Sequence, residues 1–280
     1  MKSHTIPTAC ALALTLAASA VPAQTLLRGQ EFQLPAAPPV PAPAGEGRRS
    51  FELSAEHQNL SNGYGDWNGI TARGTWALPG HLVQGEASVM RRFGEKGVFL
   101  GVSDTHDFNE DWFGILSAGA GDGAFFLPRF RVDGAIYRKW LTDRRLVTSI
   151  GLGYYRAPDR HTDRSVSLGA AYYFTAPWIL EGGVRFNDSD PGSVGTSQRF
   201  VAATWGRSGQ DLVTGRHAWG GEGYLAVGPA TQMVNFRSRE SAVSWRHWLT
   251  PGSGFLVGAN RYTNPLYRRT GVTVGYFQDF

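Results

Sequence analysis

The sequence predicts an all-β protein, a transmembrane antiparallel up-and-down β-barrel of about 14 strands, with 12 strands as the alternative count. Three features predict it. The chain ends in a strictly alternating segment that stops on an aromatic residue, similar alternating segments recur along the chain, and the amino terminus has the pattern of an exported protein. The 36 glycines, 9 tryptophans, 10 tyrosines and 16 phenylalanines are typical of tight turns and aromatic belts.

The carboxyl-terminal segment, residues 269–280, shows the alternation most clearly. Val272, Val274 and Tyr276 alternate with polar or small residues, and Phe280 is the last residue. A period of two indicates a strand, because successive side chains of a strand point to opposite faces. A closing strand that ends on Phe resembles the insertion signal of bacterial outer-membrane barrels. We therefore expect Tyr276 and Phe280 to be recognised by the barrel assembly machinery.

The amino-terminal part divides into two segments before the barrel. Residues 1–23 combine Lys2, an apolar run and small-residue cleavage sites, which predicts a secretory signal peptide. Cys10, the single cysteine, lies in that run, so the mature chain has no disulfide. Residues 24–50 contain a Pro- and Ala-rich stretch that favours polyproline II, and we expect a periplasmic linker, with a docking segment on the peptidoglycan side as the alternative. The predicted barrel is residues 51–280.

Hydropathy and charge exclude several other classes of protein. No run of about 18 apolar residues occurs after the signal, so a membrane protein of this sequence would have to be a barrel. The net charge is +4, but the basic residues are spread over the chain rather than clustered, so we expect no nucleic-acid partner. Nearly all of them are Arg, which suits ion pairs inside a lumen or phosphates at a rim. Outer-membrane lipid and lipopolysaccharide are therefore expected partners.

Alternating segments separated by Gly, Pro, Asn and Asp clusters define the remaining strands. The first strand is followed by a long polar loop, residues 61–68, and the second by a short turn, residues 79–81, an asymmetry found in outer-membrane barrels. Another long loop is predicted at residues 188–197. Residues 207–240 have the weakest pattern and leave 12 strands open as the alternative count. The predicted strands are residues 51–56, 70–78, 82–93, 98–105, 111–120, 129–140, 146–156, 164–175, 178–187, 198–206, 217–228, 241–249, 255–262 and 269–280.

The two faces of these strands separate a barrel from its rival, a soluble β-sandwich. Apolar faces place aromatic residues near their ends, as an interfacial belt would, while the opposite faces have charges in mid-strand. We expect those charges to point into a lumen and to pair there, since an unpaired enclosed charge loses hydration. Two roles are left open, selectivity for an ion or polymer and structural bracing. The residues concerned are Arg73, Glu86, Arg131, Asp133, Glu181, Arg185 and Arg246.

Five short stretches give the chain a resemblance to a known family. They are L-S-N-G-Y-G-D-W at residues 60–67, F-F-L-P-R-F at 125–130, R-H-W-L at 246–249, Y-R-R-T-G at 267–271 and the final Phe280. In their order and spacing the chain resembles the YaiO-type outer-membrane β-barrel family. The resemblance implies a barrel in the bacterial outer membrane and implies no settled activity. Gln278 departs from the terminal pattern, which usually has an aromatic residue there.

No convincing catalytic or metal site is visible in the sequence. The segment Asp104-Thr105-His106-Asp107 is the best local candidate for an acid–base pair, but we expect a solvated turn on the periplasmic side. His57, His217 and His247 are isolated, and no His or Cys pair has ligand spacing. Gly119, Gly121 and Gly123 indicate a flexible external loop.

We therefore predict no catalytic residue, metal or cofactor, and two classes of function are left open. One is a channel or scaffold with a polar charged lumen, linked to export of a polysaccharide or other envelope solute. The other is a barrel enzyme that acts on lipid or peptide at the rim.

Overall fold

The computed structural model describes residues 49–175 and 177–280, which form one closed antiparallel barrel of fourteen strands. The predicted signal peptide and all but the last two residues of the predicted linker lie outside the described residues. No helix in the described part of the chain is long and apolar enough to cross a membrane.

Each strand pairs with its neighbours in the sequence, and β1 closes the ring against β14. The strands are β1 Arg49–Leu60, β2 Asp66–Leu78, β3 His81–Arg92, β4 Glu95–Asp107, β5 Trp112–Gly121, β6 Phe130–Trp140, β7 Leu146–Arg156, β8 Thr162–Tyr173, β9 Trp178–Asp190, β10 Val194–Arg207, β11 Asp211–Gly228, β12 Thr231–Thr250, β13 Ser253–Thr263 and β14 Arg268–Asp279. The predicted fold class and the count of 14 strands are confirmed, and the alternative of 12 is set aside.

An even number of antiparallel strands places both ends of the barrel at one rim. There the amide of Phe280 donates a hydrogen bond of 2.8 Å to the carbonyl of Arg49. We call this end the terminal rim and the opposite end the distal rim. Odd-numbered strands run towards the distal rim and even-numbered strands return from it.

The long loop predicted at residues 188–197 is wrong. β9 continues to Asp190 and β10 begins at Val194, so the connection is only residues 191–193. Ser189 faces the interior and hydrogen-bonds to Asp163 on β8, as Asn187 before it does, while Asp188 is exposed on the outer face. The polarity that indicated a loop therefore belongs to the ends of two wall strands.

The predicted alternation of long loops and short turns is present only in part. Residues 122–129 form a long distal connection, but the distal turns at residues 93–94 and 229–230 are as short as the terminal-rim turns at 79–80 and 251–252. The polar and glycine-rich residues of region 207–240 extend two strands instead, so that β11 has 18 residues and β12 has 20.

The outer wall is apolar and exposed along its middle. Leu116 and Leu152 expose 62% and 65% of their surface, and many other outward Leu, Ile and Val side chains are about as open. A water-soluble protein rarely exposes a continuous apolar band of this size, so the band fits contact with lipid. A belt of aromatic side chains encircles the wall at the terminal rim. Its members are Phe51, Trp76, Trp112, Trp140, Phe174, Trp178, Trp205, Trp245 and Tyr276.

Candidate functional site

A chain of buried ion pairs crosses the interior near the terminal rim. Arg73 on β2 donates to Glu52 on β1 at 2.7 Å and to Glu86 on β3 at 2.8 Å. Glu52 also accepts a hydrogen bond of 2.7 Å from Arg246 on β12. The order Glu86, Arg73, Glu52, Arg246 alternates in charge, and all four residues are less than a tenth exposed. The sequence prediction brought Arg73, Glu86 and Arg246 to the interior but omitted Glu52, the carboxylate that joins them.

Arg246 is also held by an aromatic ring. Its guanidinium carbon lies 3.5 Å from the ring centre of Phe277 on β14, a cation–π contact. Phe277 is fully buried and packs with Trp248 and Leu212. The ion-pair chain thus rests on an apolar layer at the terminal rim.

A second charged group lines the facing part of the wall, on β6 to β9. Arg131 and Asp133 form an ion pair two residues apart on β6, with a second hydrogen bond of 3.1 Å between the same side chains. Arg185 on β9 approaches from the other side, and both it and Asp133 lie over Gly153, where a Cβ would come within 2.7 Å of Asp133. A cavity of about 30 Å³ lies beside Asp133, Gly153 and Arg185 on the inner side of the wall. It has room for roughly one or two water molecules.

Glu181 lies one level nearer the terminal rim, between the charged group and an apolar cluster. It lines a cavity of about 20 Å³ together with Tyr137, Ser149 and Phe200. Beneath it Phe113 and Tyr137 stack face to face, with ring centres 4.6 Å apart. Of the seven charged residues that the sequence placed inside, Arg73, Glu86 and Arg246 thus belong to the chain near the terminal rim, and Arg131, Asp133, Glu181 and Arg185 lie on β6 and β9.

A two-stranded arm, residues 221–238, leaves the wall at the distal rim. β11 pairs with β10 only up to Gly220, and β12 pairs with β13 only from Arg239 onwards, so among the described strands those of the arm pair only with each other. The bend is at Gly220, whose φ of 150° suits glycine and few other residues. A Cβ there would lie 2.3 Å from the carbonyl oxygen of Ser197, so the close approach to β10 also requires glycine.

The arm folds inward across the distal mouth instead of extending the wall. Three consecutive residues, Leu225, Ala226 and Val227, are buried, although neighbours on a strand point to opposite faces. The Tyr224 hydroxyl donates to the carbonyl of Pro191 at 2.9 Å, which ties the arm to the β9–β10 turn. At the tip, Gln232 donates to Asp159 in the β7–β8 loop.

Aromatic side chains from the other distal connections meet under the arm. Tyr267 of the β13–β14 loop contacts Tyr64 of the β1–β2 loop, with ring centres 5.2 Å apart, and Phe93 of the β3–β4 turn contacts Trp67 at 5.0 Å. Phe93 also contacts Phe125, which belongs to the β5–β6 connection. Four connections and the arm therefore share one apolar cluster that closes the distal mouth.

The β5–β6 connection, residues 122–129, dips into the barrel beside this cluster. Phe126 and Leu127 are buried against Met90 and Phe99, and a Cβ on Gly97 would lie 2.7 Å from Leu127. The sequence indicated a flexible external loop around Gly119, Gly121 and Gly123. The structure instead places Gly119 and Gly121 in β5, where Leu127 packs against Gly121.

Two arginines that sequence reasoning missed are enclosed by the aromatic cluster. Arg269 is 1% exposed and lies between Trp67 and Tyr262, with its guanidinium carbon 4.8 Å from each ring centre. It forms an ion pair with Glu240 at 3.4 Å, while Arg92 covers the ring of Trp67 at 4.7 Å. The Y-R-R-T-G stretch of the sequence contains Arg269, but nothing in it separates Arg269 from exposed Arg268.

A polar cluster beneath the arm has the residue types of a hydrolase site without its geometry. His161 lies 3.0 Å from Asp163, and Ser189, which is fully buried, donates to the same carboxylate. The serine is therefore bonded to the acid and not to the imidazole, so no base is placed to activate it. Tyr224 of the arm packs on the His161 ring at 4.1 Å.

The solvated turn predicted at residues 104–107 is wrong, because these residues are the last four of β4. Asp104 and His106 share the outward face of β4 with exposed Leu100 and Val102, and Asp104 lies 2.8 Å from His81. They are at the terminal rim, as the sequence indicated. The three histidines that looked isolated have cross-strand partners, namely Asn68 for His57, Ser241 for His217 and Asp211 for His247. Among residues 49–175 and 177–280, no group of three or more His, Cys, Asp or Glu residues is arranged to hold a metal ion.

Comparison with known families decides what kind of barrel this is. The model of the YaiO membrane beta barrel domain matches residues 48–225, more than half of the chain. The chain belongs to the YaiO membrane β-barrel family. The predicted resemblance is thereby confirmed. The match ends within the arm, so the wall strands β12 to β14 follow the matched part of this YaiO barrel.

Solved structures agree with the YaiO assignment at the level of fold. The CymD monoaromatic hydrocarbon channel is 7% identical, with a TM-score of 0.56, over 84% of this chain and 89% of that one. A bacterial polysaccharide outer membrane secretin is 10% identical, with a TM-score of 0.51, over 83% and 98%. The anion-selective porin from Comamonas acidovorans is 12% identical, with a TM-score of 0.49, over the same shares. None of the curated proteins compared with the chain matches it.

The YaiO family assignment places the protein in the bacterial outer membrane, and the solved structures agree with it in fold. In this YaiO barrel the predicted assembly residue Tyr276 lies on the outer face of β14 at the terminal rim, and Phe280 directly follows that strand. Tyr276 is 48% exposed and donates to Gln278 at 2.6 Å, and Phe280 is 73% exposed at the seam with β1. Both side chains are exposed, and their recognition during assembly stays a prediction.

Proposed function

We propose that this protein is an outer-membrane channel that rests in a closed state, with the arm as the lid of its distal mouth. The terminal rim faces the periplasm, so the distal rim lies at the cell surface. The observation that supports this best is the arm itself. It bends away from the wall at Gly220 and pairs with no other strand that the structure describes. It closes the mouth through side-chain contacts, which can separate while the ladder of the barrel stays paired.

The interior below the lid supports a polar passage. The ion-pair chain Glu86, Arg73, Glu52, Arg246 lies on one wall and the Arg131, Asp133 and Arg185 group on another. Paired charges are less costly to enclose than single ones and still attract water and polar solutes. Arg131, Asp133 and Arg185 lie towards the lid, and Glu181 lies below them on β9. These four are the residues that we propose set ion or polymer selectivity, whereas the first group braces the terminal half.

The solute that we propose to test first is an envelope polysaccharide moving outwards. A hydroxyl-rich polymer needs many hydrogen-bonding groups along its path and apolar ring faces where it leaves. The inward serines and charged residues offer the former, and Tyr64, Phe93 and Tyr267 at the mouth offer the latter. An enzyme at the rim is the less favoured class, because Ser189 lacks a base.

Shortening the arm tests the channel directly. Deleting residues 224–234 leaves Gly223 and Asn235 as a two-residue turn between Glu222 and Phe236, which already face each other. We expect the shortened protein to show steady conductance in planar bilayers, where the full-length protein shows brief openings or none. Cells that make it should become sensitive to antibiotics too large to cross the intact outer membrane. A folded, shortened barrel without conductance would contradict the channel.

A cross-link supplies the matched control. The sequence has one cysteine, in the predicted signal peptide, so Asp159 and Gln232 can be replaced by cysteine without competing thiols. A short thiol-reactive cross-linker should then hold the arm shut and abolish any openings, and each single-cysteine variant should be unaffected. For the solute, loss of the gene should reduce surface polysaccharide, and the cross-linked variant should fail to restore it.

A further inference from the structure

Four arginines and a tryptophan cluster on the outer wall at the distal rim of β10 to β14. Arg199, Trp219 and Arg239 are direct cross-strand partners on β10, β11 and β12, and Thr263 continues the same row to Arg268 on β14. Arg261 lies one row nearer the terminal rim on β13. All four arginines are exposed and Trp219 is 38% exposed. We call Arg199, Trp219, Arg239, Arg261 and Arg268 the arginine face.

The charges of the arginine face are crowded and unbalanced. Two strands with one other strand between them lie about 10 Å apart in a sheet. This is the Cα separation expected for Arg199 and Arg239, and for Arg239 and Arg268. Arg239 and Arg261 are diagonal neighbours, about 7–8 Å apart. None of the four side chains has an ion pair or hydrogen bond to another residue of the described ranges. Like charges so placed repel one another unless an anion lies between them.

The outer wall at the terminal rim does not share this imbalance. At the terminal rim, Arg138 stacks on Trp140 at 3.6 Å and Arg144 binds Asp111 at 3.0 Å. Outward carboxylates there, Asp104 and Asp211, pair with His81 and His247. On the outward face of β10 to β14, the residues between the arginine face and the aromatic belt are apolar or uncharged except for His217, with no carboxylate.

The surroundings of the face select an anion that belongs to a lipid. The side chains project from the wall above the apolar band, at the level where lipid headgroups meet acyl chains. Guanidinium groups bind phosphate through two parallel hydrogen bonds, and several of them suit a headgroup with more than one phosphate. Trp219 in the middle of the row is the amphipathic side chain favoured at that depth.

We propose that the arginine face binds the phosphate groups of a phosphorylated glycolipid of the outer leaflet. This proposal rests on the orientation given above, with the distal rim at the cell surface, and not on channel activity. In that orientation the wall beside the face contacts outer-leaflet lipid. The adjacent pair of His217 and Ser241, 2.8 Å apart on the same outward face, adds polar groups for the sugar or phosphate.

The pair of His217 and Ser241 does not make the face a hydrolase. A serine nucleophile needs an imidazole that is itself oriented by a third group, and donors for the oxyanion. No described side chain hydrogen-bonds to the other ring nitrogen of His217, which instead stacks on Trp219. The backbone amides around Ser241 pair with β11 and β13. The face is therefore a binding surface.

The test measures lipid retained by the purified mature protein. Lipopolysaccharide that co-purifies in detergent is quantified, and rebinding is measured with lipopolysaccharide, its enzymatically dephosphorylated form, phosphatidylglycerol and inorganic phosphate. Charge-assisted hydrogen bonds contribute enough that losing two arginines should weaken rebinding about tenfold or more. We therefore expect the double variant Arg239→Gln/Arg261→Gln to lose most bound lipopolysaccharide. Arg239→Lys/Arg261→Lys should keep a part of it.

Arg207→Gln is the matched control, since Arg207 is outward and exposed on β10 but lies at the terminal rim. It should retain lipopolysaccharide like the native protein. Heat-modifiable gel mobility checks that every variant is folded. Equal retention by the double variant and the control would overturn the proposal, as would equal binding of dephosphorylated lipopolysaccharide, phosphatidylglycerol or free phosphate. Conductance of the arm-shortened protein should not change with the double variant, so the lipid site and the channel can fail independently.

Discussion

Arg246 on β12 and Glu52 on β1 join their side chains at 2.7 Å across the interior, although β13 and β14 separate their strands in the wall. This contact therefore crosses the lumen and joins two strands that are not neighbours in the wall. Arg73 continues it to Glu86 on β3. Six consecutive strands of the closed ring, from β12 through β14 and β1 to β3, are thus spanned by this chain of charges as well as by the backbone ladder.

Neutralising Glu52 should lower the stability of the barrel more than any other single substitution among the four residues of the ion-pair chain. Glu52→Gln leaves Arg73 and Arg246 facing each other without the carboxylate between them. Removing one partner of a buried pair typically costs about 3 kcal/mol, because the remaining charge stays enclosed. Urea unfolding of the protein in detergent micelles measures the loss.

Glu56→Gln on the same face of β1 is the control for that substitution. Glu56 meets Arg92 at only 3.8 Å and its side chain is 21% exposed, so we expect a loss below about 1 kcal/mol. An equal loss of unfolding free energy in the two variants would mean that the ion pairs of Glu52 have no special role.

Replacing Arg131 and Arg185 by Ser should shift conductance towards cations. Arg131 pairs with Asp133, and Arg185 lies beside the same carboxylate over Gly153, so removing both arginines leaves acidic groups there, Asp133 among them. The measurement is the reversal potential of the arm-shortened protein in a salt gradient. Arg138→Ser should leave it unchanged, because Arg138 faces outward against Trp140. Unchanged selectivity in the double variant would assign these arginines to bracing.

The strands of the wall could be predicted from the sequence because the patterns that define them involve residues close together in the chain. A period of two and the turn residues between segments are properties of neighbouring residues, and they placed 14 strands with most of their facing charges. Where the prediction failed, at residues 188–197, the end of β9 and the start of β10 are as polar as a loop. Strand prediction depends on alternation between apolar and polar residues, and that alternation is absent there.

The closed mouth could not be predicted, because its contacts join distant parts of the chain. Arg269 binds Glu240 and packs between Trp67 and Tyr262, and no spacing rule connects these positions. The arm was hidden for a related reason. Its strands have apolar residues on both faces, so region 207–240 lacks the alternation of a wall strand. Glu52 was omitted because a carboxylate at the start of a strand has the pattern of an exposed residue.

Phe280 should determine how much barrel reaches the outer membrane. Its amide and carbonyl pair with Arg49, while its ring is exposed at the seam. Phe280→Ala keeps the backbone pair and removes the ring, and deletion of Phe280 removes both. If the ring is recognised during assembly, both changes should lower the membrane level several-fold, with the predicted signal peptide still cleaved. Quantitative blots of membrane fractions measure it, and normal levels of the alanine variant would transfer the role to the backbone.

Gly220→Ala should open the lid without any change to the residues that line the passage. At a φ of 150° a Cβ would lie 2.3 Å from the Ser197 carbonyl oxygen and 2.6 Å from the Gln198 Cα, both in the backbone of β10. Neither atom can move without disturbing the ladder, so β11 must separate from β10 where the arm begins. We expect the arm to leave the mouth, with higher conductance and faster tryptic cleavage after Arg237, which is exposed on the arm.

Gly221→Ala tests whether that effect belongs to the bend or to any added methyl group. The neighbouring glycine has no positive φ, and its Cβ would meet the Thr196 side chain at 3.3 Å, a contact that a small shift of the threonine relieves. The arm should therefore stay closed, with conductance and cleavage as in the native protein. If both variants open the mouth, the arm is held only weakly by its contacts. If neither does, the arm is fixed by the aromatic cluster beneath it, and the hinge at Gly220 is not where the channel opens.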